Sequence, residues 1–579
     1  MSKTDPSKSV FVQDSFSAGL DMFTDRTKLP TGAYPLLING RSRYGKIRPI
    51  RKPKLLGAGL PSTAAGYNYQ GLYGVGNFAI VFANGQAYVR DYSTDSSENF
   101  NQVANFQMST GAPQLWLEVV PASTINYKRV SPDEEASSSV TLLNELSAPS
   151  PVAAVVQDGI SQPWIILNNG SARVTKNFDQ WQNSADGREY VPIGKQMLFV
   201  DGKLYITDGK QVFQSVSGRP LDFVISIDAE GNKLESVDAG GAQNNSTRPF
   251  YDTITCLGRI ASDDGSFYVG SPRNSVITSP DFSETQYNEP FFTHKYIANT
   301  GPLNNESFIG DVNGDTCFID GKTIRSFNAI LTVKNTGKNA PFSLLISRLF
   351  DSVDQSNHIT CAGQFDNYSL FSLNTVYGPA IVWYDELRQC WDGIDIYDNV
   401  YGSIRQFAQV LTDTGERKLL FLTSAGKVYE WGAAEEVAMC SLYIGDFCSS
   451  DPKTELDMGT IKVILEQAET AGITNATLFV DNQKQLDTIL AKAITKDFTA
   501  PSGPIDIPFG SDTNRSVNNL AFDFSRAKDG YKVGVLLQWN VLANLTYVAA
   551  SDVGLVTMSG NTMKQQQSSY LQNRTTLGL

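Results

Sequence analysis

Histidine is scarce in this 579-residue chain, and the other candidate catalytic residues are not spaced as in the common catalytic motifs. The two histidines, His294 and His358, provide little material for a histidine-centred triad, and no G-x-S-x-G nucleophile elbow is present. Acidic pairs such as Asp263-Asp264 and Asp385-Glu386 resemble solvated turns more than paired catalytic carboxylates. We therefore predict a protein that is not an enzyme, with no catalytic, cofactor-binding or metal-binding residues.

Three short segments resemble ligand-binding motifs, but each predicts a turn. Residues 74–79 match a loose dinucleotide-binding pattern, yet they open a strand where phosphate binding needs a helix N-terminus. Residues 321–323 end like a P-loop whose first glycine is replaced by threonine. Residues 311–315 alternate Asp, Asn and Asp as calcium loops do, but the twelfth position is lysine instead of glutamate.

Positive charge is concentrated in one segment, although the formal net charge of the chain is -13. The cluster consists of Arg41, Arg43, Lys46, Arg48, Arg51, Lys52 and Lys54. It could dock onto an acidic partner surface or pass nucleic acid, or it could be the solvent-exposed face of alternating strands. The acidic total argues against a protein that grips nucleic acid by neutralising phosphates.

The elements that must position these residues are predicted to be strands. Tyr (24), Phe (31) and Gly (47) are plentiful, which favours pleated strands joined by tight turns. Asn-Gly and Asp-Gly pairs between apolar runs are the strongest short-range hairpin signal. Such turns, or similar glycine-containing turns, are predicted at residues 84–85, 168–170, 201–202, 208–209, 264–265, 320–321 and 424–426.

These hairpins predict a mainly β chain with four parts. Residues 1–60 form an N-terminal arm, and residues 61–435 form a β-propeller-like domain, for which roughly 40–50 residues per blade give about six to eight blades. A set of β-sandwiches is the alternative for this region. Residues 436–560 form a β-rich C-terminal domain with one short amphipathic helix at 486–493, and residues 561–579 form a polar tail.

The sequence predicts neither a membrane segment nor a disulfide framework. No stretch approaches the ~20 apolar residues of a membrane helix, and the first fifteen residues lack the apolar core of a signal peptide. The six cysteines are scattered without a C-x-x-C pair, which argues against a zinc site. We expect the chain to fold in a reducing cytosol.

The segment that contains the basic cluster also resembles a known family. Its order is Phe16-Ser-Ala-Gly19-Leu20, Asp25, Leu29-Pro30, Tyr34-Pro-Leu-Leu-Ile-Asn39, Gly45, Arg48-Pro49 and Lys52-Pro53. This order resembles the N-terminal arm of the tail nozzle proteins (tail tubular protein B) of short-tailed bacteriophages. Ala18 stands where that family has the first glycine of its opening turn. The resemblance covers about 50 of the 579 residues.

The resemblance implies a structural virion protein of the tail, made in the host cytoplasm. A β-sandwich-like platform, built from the arm and the C-terminal domain, would accompany the β-propeller-like domain. Copies would form a homo-oligomeric ring, a hexamer, at the distal tail, with a tail adaptor protein and tail fibre proteins as partners. Double-stranded DNA would pass through the channel without specific binding, and no membrane insertion is expected. The arm positions expected to set turns are Gly19, Asn39, Gly45, Pro49 and Pro53.

Two other functions stay open at this point. A receptor-binding or polysaccharide-degrading tail protein would need a cleft of aromatic and acidic side chains, for which Trp383, Asp385, Trp391 and Asp392 are the candidates. A cellular propeller scaffold without a viral role would be a monomer with no tendency to form rings.

Overall fold

The chain is mainly β in the part that the structure describes. The computed structural model describes residues 8–61, 68–93, 99–103, 113–120, 127–130, 164–168, 180–183, 194–210, 212–215, 226–227, 233–234, 252–260, 265–281, 291–321, 323–327, 341–354, 359–448, 454–457, 460–466, 468–469, 472–480, 483–484, 494–498, 517–523 and 532–557. Helical structure in these residues consists of α1 (Ser347–Phe350), the helical residue Phe327, and 3-10 turns at Arg26–Lys28, Asn305–Ser307, Leu344–Ile346 and Asn399–Tyr401. The helix predicted at 486–493 and the tail at 561–579 lie outside the described residues.

Seven short strands form the arm. They are β1 (Lys8–Gln13), β2 (Gly19–Leu20), β3 (Ala33–Tyr34), β4 (Leu36–Ile38), β5 (Gly40–Arg43), β6 (Lys46–Pro49) and β7 (Lys54–Leu56). Only β2–β3 and β5–β6 pair with each other, in parallel and antiparallel fashion respectively. The other arm strands find their partners elsewhere in the chain.

The middle of the chain forms successive small antiparallel sheets. The first half contains β8 (Tyr69–Val75), β9 (Phe78–Ala83), β10 (Gln86–Asp91), β11 (Asn101–Gln102), β12 (Trp116–Val120), β13 (Tyr127–Val130), β14 (Trp164–Asn168), β15 (Gln180–Asn183), β16 (Gln196–Val200), β17 (Lys203–Thr207), β18 (Val212–Gln214), β19 (Ser226–Ile227) and β20 (Lys233–Leu234). The second half contains β21 (Cys256–Arg259), β22 (Phe267–Ser271), β23 (Asn274–Asp281), β24 (Phe291–Ala298), β25 (Phe308–Val312), β26 (Asp315–Ile319), β27 (Ile324–Ser326), β28 (Cys361–Phe365), β29 (Tyr368–Thr375), β30 (Gly378–Asp385), β31 (Cys390–Ile396), β32 (Ile404–Leu411), β33 (Arg417–Thr423) and β34 (Val428–Glu430).

Turn chemistry explains these hairpins. Asn84 and Gly85 have φ of 50° and 73° between β9 and β10, and Asp201 and Gly202 have φ of 48° and 72° between β16 and β17. Positive φ at both central residues matches the right-handed twist of the flanking strands, which is why Asn-Gly and Asp-Gly predict this turn. The strands predicted around both turns are confirmed, whereas residues 172–174, predicted to follow the turn at 168–170, lie outside the described residues.

The first strands of seven of these sheets contact each other in a cycle. The order is β8, β12, β16, β21, β25, β28 and β32, after which β32 returns to contact β8. Glycine permits the closest approach: a Cβ on Gly74 of β8 would lie 1.9 Å from the Gln409 carbonyl oxygen of β32. Hydrogen bonds join the same two strands, since the Leu72 N–H donates to Gln406 Oε1 at 2.9 Å. We call this cycle of seven sheets the ring.

The C-terminal region adds β35 (Cys440–Cys448), β36 (Thr454–Asp457), β37 (Thr460–Glu466), β38 (Gly472–Val480), β39 (Gln483–Lys484), β40 (Ile494–Phe498), β41 (Val517–Asp523), β42 (Lys532–Trp539) and β43 (Asn544–Thr557). One sheet runs β41-β37-β43-β6-β5, with β1 and β36 also on β43, and therefore mixes arm and C-terminal strands. A second sheet runs β28-β29-β30-β31-β4-β35-β42-β38-β39, so β4 joins a ring sheet to the C-terminal strands. We call the combined arm and C-terminal strands the platform.

One apolar core joins the platform to the adjoining ring sheets. It contains Phe16 and Tyr34 of the arm, Trp391 of β31, and Val463 and Trp539 of the C-terminal strands, all buried. At roughly 25 cal/mol per Å² of apolar area removed from water, such large side chains dominate the stabilisation. The arm is therefore part of the core.

Candidate functional site

A cavity of about 370 Å³ lies where six of the seven first strands begin. Its wall includes residues at or just before the starts of β12, β16, β21, β25, β28 and β32. These strands all begin at the same end of the ring, so their first residues converge around its middle. The cavity is therefore a product of the ring closure itself.

Glu306 is the carboxylate of this cavity. It accepts a hydrogen bond of 3.0 Å from Gln114 Nε2, and these two residues precede strands of sheets that are not neighbours in the ring. Burial raises the pKa of Glu306 to about 7, against the lowering effects of the Gln114 hydrogen bond and the Arg405 charge. The side chain keeps part of its surface accessible at the cavity wall. Near neutral pH it can therefore donate or accept a proton.

Two further polar side chains line the cavity, and each has a hydrogen-bonding or charged group without a partner within the described residues. Gln196 is 6% exposed, and its Nε2 donates to the Thr255 carbonyl oxygen, whereas its Oε1 has no hydrogen-bond partner within the described residues. Lys195 is exposed and forms no ion pair with any residue that the structure describes. A buried acceptor left unpaired costs about 1–3 kcal/mol, so Gln196 Oε1 is a group that a bound molecule could satisfy.

A second, half-buried carboxyl group lies further along one of the same first strands. Glu118 of β12 accepts a hydrogen bond of 3.2 Å from the Phe199 N–H, and Arg259 donates to the Phe199 carbonyl oxygen at 2.6 Å. Burial raises the pKa of Glu118 to about 7, against the Phe199 hydrogen bond and the Arg259 charge. Sequence reasoning selected neither Glu118 nor Glu306.

The arm is fixed by a buried ion pair. Arg41 Nη2 lies 2.6 Å from Asp395 Oδ2, with the two side chains 6% and 0% exposed. Asp395 Oδ2 also accepts hydrogen bonds from Trp383 Nε1 at 2.9 Å and Trp431 Nε1 at 3.0 Å. The Arg41 guanidinium lies 4.0 Å from the Trp383 ring centroid, which adds a cation–π contact. The ion pair therefore holds four elements together at one point: β5, β30, β31 and the segment after β34.

Asp392 provides a second anchor for the arm. It accepts hydrogen bonds from Tyr34 Oη at 3.2 Å and from the Ser42 N–H at 3.0 Å, and Arg388 Nη2 lies 2.8 Å away. Burial raises the pKa of Asp392, and the positive charges of Arg388 and Arg41 oppose that effect. The role of Asp392 in this geometry is to hold the arm on β31.

The basic cluster pairs mostly within the chain. Lys46 lies 2.9 Å from Glu466, Arg51 lies 3.1 Å from Glu469, and Arg48 also pairs with Glu469. Lys52 pairs with Glu436, and Arg41 is buried. These four paired side chains are 35–39% exposed, so they form a partly solvent-exposed face whose carboxylate partners belong to the C-terminal region of the same chain. Docking onto a partner surface stays a prediction.

The five arm positions expected to set turns differ in what they do. Gly19 has φ of 87°, and a Cβ there would lie 2.5 Å from the Trp391 carbonyl oxygen, so glycine is required. Asn39 has φ of 55°; its Oδ1 accepts from the Ile396 N–H and its Nδ2 donates to the Met439 carbonyl oxygen. Gly45 has φ of 74° in the β5–β6 turn. Pro49 ends β6, and Pro53 is buried just before β7.

The cleft expected from Trp383, Asp385, Trp391 and Asp392 does not form. All four residues are buried, at 1%, 6%, 2% and 0% exposure. Asp385 accepts from Arg388 Nε at 2.7 Å and from two backbone N–H groups, so its carboxylate closes the β30–β31 turn. Tryptophan and carboxylate in one segment suggested a sugar cleft, but sequence alone could not show that these side chains point inward.

The motif-like segments form the turns that the sequence predicts. Residues 74–79 lie in the β8–β9 hairpin, and residues 321 and 323 lie in the turn between β26 and β27. In the β25–β26 turn the Asp311 carboxylate accepts from the Gly314 N–H at 2.7 Å. Within the described residues no group of three or more His, Cys, Asp or Glu side chains is placed to hold a metal ion.

The remaining reactive residue types have local structural roles. His294 Nδ1 lies 3.0 Å from Thr278 Oγ1 across β23 and β24, whereas His358 lies outside the described residues. The six cysteines are free thiols, and burial raises the pKa of Cys256, Cys317, Cys361 and Cys440 well above the usual range. Among the described helices, none has the length and apolar character needed to cross a bilayer.

Comparisons with known proteins place the chain in no family. No family model and no curated protein sequence matches it. Among solved structures, it aligns with a glycoside hydrolase family 43 arabinoxylan arabinofuranohydrolase from Bacillus subtilis at 9% identity and a TM-score of 0.18, covering 83% of this chain and 96% of that one. It also aligns with a Chaetomium thermophilum Nup170 NTD–Nup53 complex at 9% identity and a TM-score of 0.22, covering 74% and 53%. TM-scores this low identify neither a fold nor an activity.

Proposed function

We propose that this chain is a structural virion protein, a tail nozzle-like subunit whose copies form a ring with a channel for genome ejection. The observation that carries the proposal is the shared platform: β4, β5 and β6 of the arm lie in the same two sheets as the C-terminal strands. The nozzle resemblance implies a platform of this composition beside a propeller. The arm of a monomeric scaffold would need no such connection.

We further propose that the ring of seven sheets within one chain is a seven-bladed β-propeller and that the platform is a sandwich-like unit. The cyclic contacts of the seven first strands support the propeller, because blades packed around an axis meet through their innermost strands. The sheet of β32, β33 and β34 takes β7 of the arm as its fourth strand. Pairing the start of the chain with its last blade would close the circle.

The charge supports a passive channel. A net charge of -13 repels the DNA backbone, and the basic cluster is largely neutralised by the carboxylates of the C-terminal region. A channel wall of this kind would let DNA pass without specific binding. The tail adaptor and the tail fibre proteins remain the proposed partners, and the tail of the virion the proposed location.

The mass of the purified full-length chain tests this proposal, measured by light scattering and followed by negative-stain imaging. We expect rings of six copies with an open centre, alone or after addition of the tail adaptor protein. A chain that remains monomeric under both conditions would overturn the nozzle proposal. Arg43→Met, which alters an exposed arm residue outside the described ion pairs, serves as the matched folding control.

The second candidate is a receptor-binding or polysaccharide-degrading tail protein, and the cavity with Glu306 favours it. A carboxyl group with a pKa of about 7 suits general acid–base chemistry near neutral pH. The test is incubation with host polysaccharide, with new reducing ends as the readout. Reducing ends produced by the native chain and lost in Glu306→Gln would support degradation, and their absence with every polysaccharide would argue against it.

A further inference from the structure

The cavity at the start of the first strands combines apolar and polar side chains, as ligand sites do. Its volume of about 370 Å³ lies in the lower part of the roughly 300–1,000 Å³ range of small-molecule pockets. Amide, hydroxyl, carboxyl and cationic side chains line it together with the aliphatic Ile254, Leu303 and Ile359 and one aromatic residue, Trp116. This size suits a molecule of one or two sugar units.

The unused groups define what the occupant must offer. Gln196 Oε1 is a buried acceptor without a partner within the described residues, so the occupant must donate a hydrogen bond there. Lys195 carries a positive charge without a described carboxylate partner, and Arg405, whose charge also acts on Glu306, lines the same cavity. A hydroxyl group satisfies the first requirement and a carboxylate the second. Trp116 adds an aromatic surface, and such surfaces pack against the apolar faces of rings.

We propose that this cavity binds a hexuronate, a sugar whose ring hydroxyls reach Gln196 and whose carboxylate pairs with Lys195 and Arg405. A neutral sugar would leave Lys195 without an anionic partner within the described residues, whereas Arg405 already faces Glu306. Inorganic phosphate would supply a negative charge, but it has no sugar ring whose hydroxyl groups could bind the amide side chains of the wall.

The protonation of Glu306 gives the site a pH dependence of known sign. The groups that face Glu306 from other first strands are Arg405, Tyr73, Cys256 and Cys361. Burial raises the pKa of the tyrosine and of both thiols, so these three stay neutral near pH 7. Below its pKa of about 7, Glu306 is neutral and does not repel a bound carboxylate. Hexuronate binding should therefore tighten as the pH falls from 8 to 6.

The test is binding of sodium glucuronate to the full-length chain, followed by calorimetry or saturation-transfer NMR, with glucose and acetate as comparators. We expect glucuronate to bind about tenfold more tightly than glucose, a difference of about 1.4 kcal/mol, since a hydrogen bond to a charged group is stronger than one to a neutral group. Acetate should not bind measurably. Equal binding of glucuronate and glucose, or no binding of glucuronate, would overturn the proposal.

Variants separate a specific site from nonspecific charge attraction. Lys195→Gln should weaken glucuronate binding about tenfold, while Lys295→Gln, an exposed lysine on β24, should leave it unchanged. Glu306→Gln should bind glucuronate at pH 8 as tightly as the native chain does at pH 6. Equal weakening by both lysine variants would contradict the site. An oligosaccharide containing glucuronate, compared with the monomer, then distinguishes a polymeric source from a free sugar.

Discussion

At the scale of single residues, the buried pair of Arg41 and Asp395 decides whether the arm stays in place. Four groups donate to or pair with the Asp395 carboxylate, and the pair lies where arm, β30 and β31 meet. Removing one partner of a buried ion pair leaves the other charge without compensation. That loss costs about 3–5 kcal/mol, far more than breaking an exposed pair.

We therefore predict that Arg41→Met lowers the free energy of unfolding by about 3–5 kcal/mol. Denaturant unfolding followed by tryptophan fluorescence measures this, because Trp383 and Trp431 both contact the pair. The control is Arg43→Met, two residues away and exposed, which should change stability by less than about 0.5 kcal/mol. Similar losses in both variants would contradict the anchoring role of Arg41.

Glu118 is expected to make stability depend on pH. Its pKa is about 7 in the folded chain and about 4.3 in the unfolded chain, so the folded state binds more protons between these values. Stability should therefore fall as the pH rises through this window, by up to about 3 kcal/mol. Glu118→Gln should unfold at higher temperature than the native chain at pH 8 and show a smaller gain at pH 5. The exposed Glu435→Gln should show no such difference, and a pH-independent effect of Glu118→Gln would contradict the assignment.

At the scale of elements, β2 fits against β31 only because residue 19 has no side chain. A Cβ on Gly19 would lie 2.5 Å from the Trp391 carbonyl oxygen, and its φ of 87° is unfavourable for other residues. We predict that Gly19→Ala costs at least about 2 kcal/mol and exposes the arm to limited proteolysis. Gly57→Ala is the matched control, since no atom lies within 4 Å of its added Cβ. Equal protease resistance of the two variants would contradict this prediction.

Local pattern predicted the hairpins, but not the partners of the arm strands. Asn84-Gly85 and Asp201-Gly202 specify their turns through φ alone, so the sequence was sufficient there. Strand β4, by contrast, lies between β31 and β35. Its Ile38 pairs with Ile394 of β31 on one side and with Ser441 of β35 on the other. Nothing in the alternation of a three-residue strand encodes partners hundreds of residues away.

The cavity could not be predicted from the sequence for a related reason. Gln114, Gln196 and Glu306 each look like ordinary polar residues before a strand, and only closure of the ring brings them together. A signal was available in principle, since polar residues precede several of the strands that begin the predicted hairpin groups. Without a clean repeat period, those positions could not be aligned with one another.

At the scale of the whole molecule, the arm makes ring and platform depend on each other. β7 completes a ring sheet, β4 joins the β28–β31 sheet to β35, and β1, β5 and β6 lie in the C-terminal sheet. One core, including Phe16, Trp391 and Trp539, spans these parts. Unfolding of either part should therefore remove strands from the other, so the two should not unfold separately.

We predict a single cooperative transition, measured by hydrogen exchange at increasing denaturant concentration. Amides of β29 in the ring and β43 in the platform should lose protection at the same concentration, because both depend on the arm. Arg41→Met should move both transitions together to lower denaturant, whereas Arg43→Met should move neither. Loss of protection in β43 while β29 stays protected would show that the platform is an independent unit, and the arm would then be an attachment instead of the element that joins them.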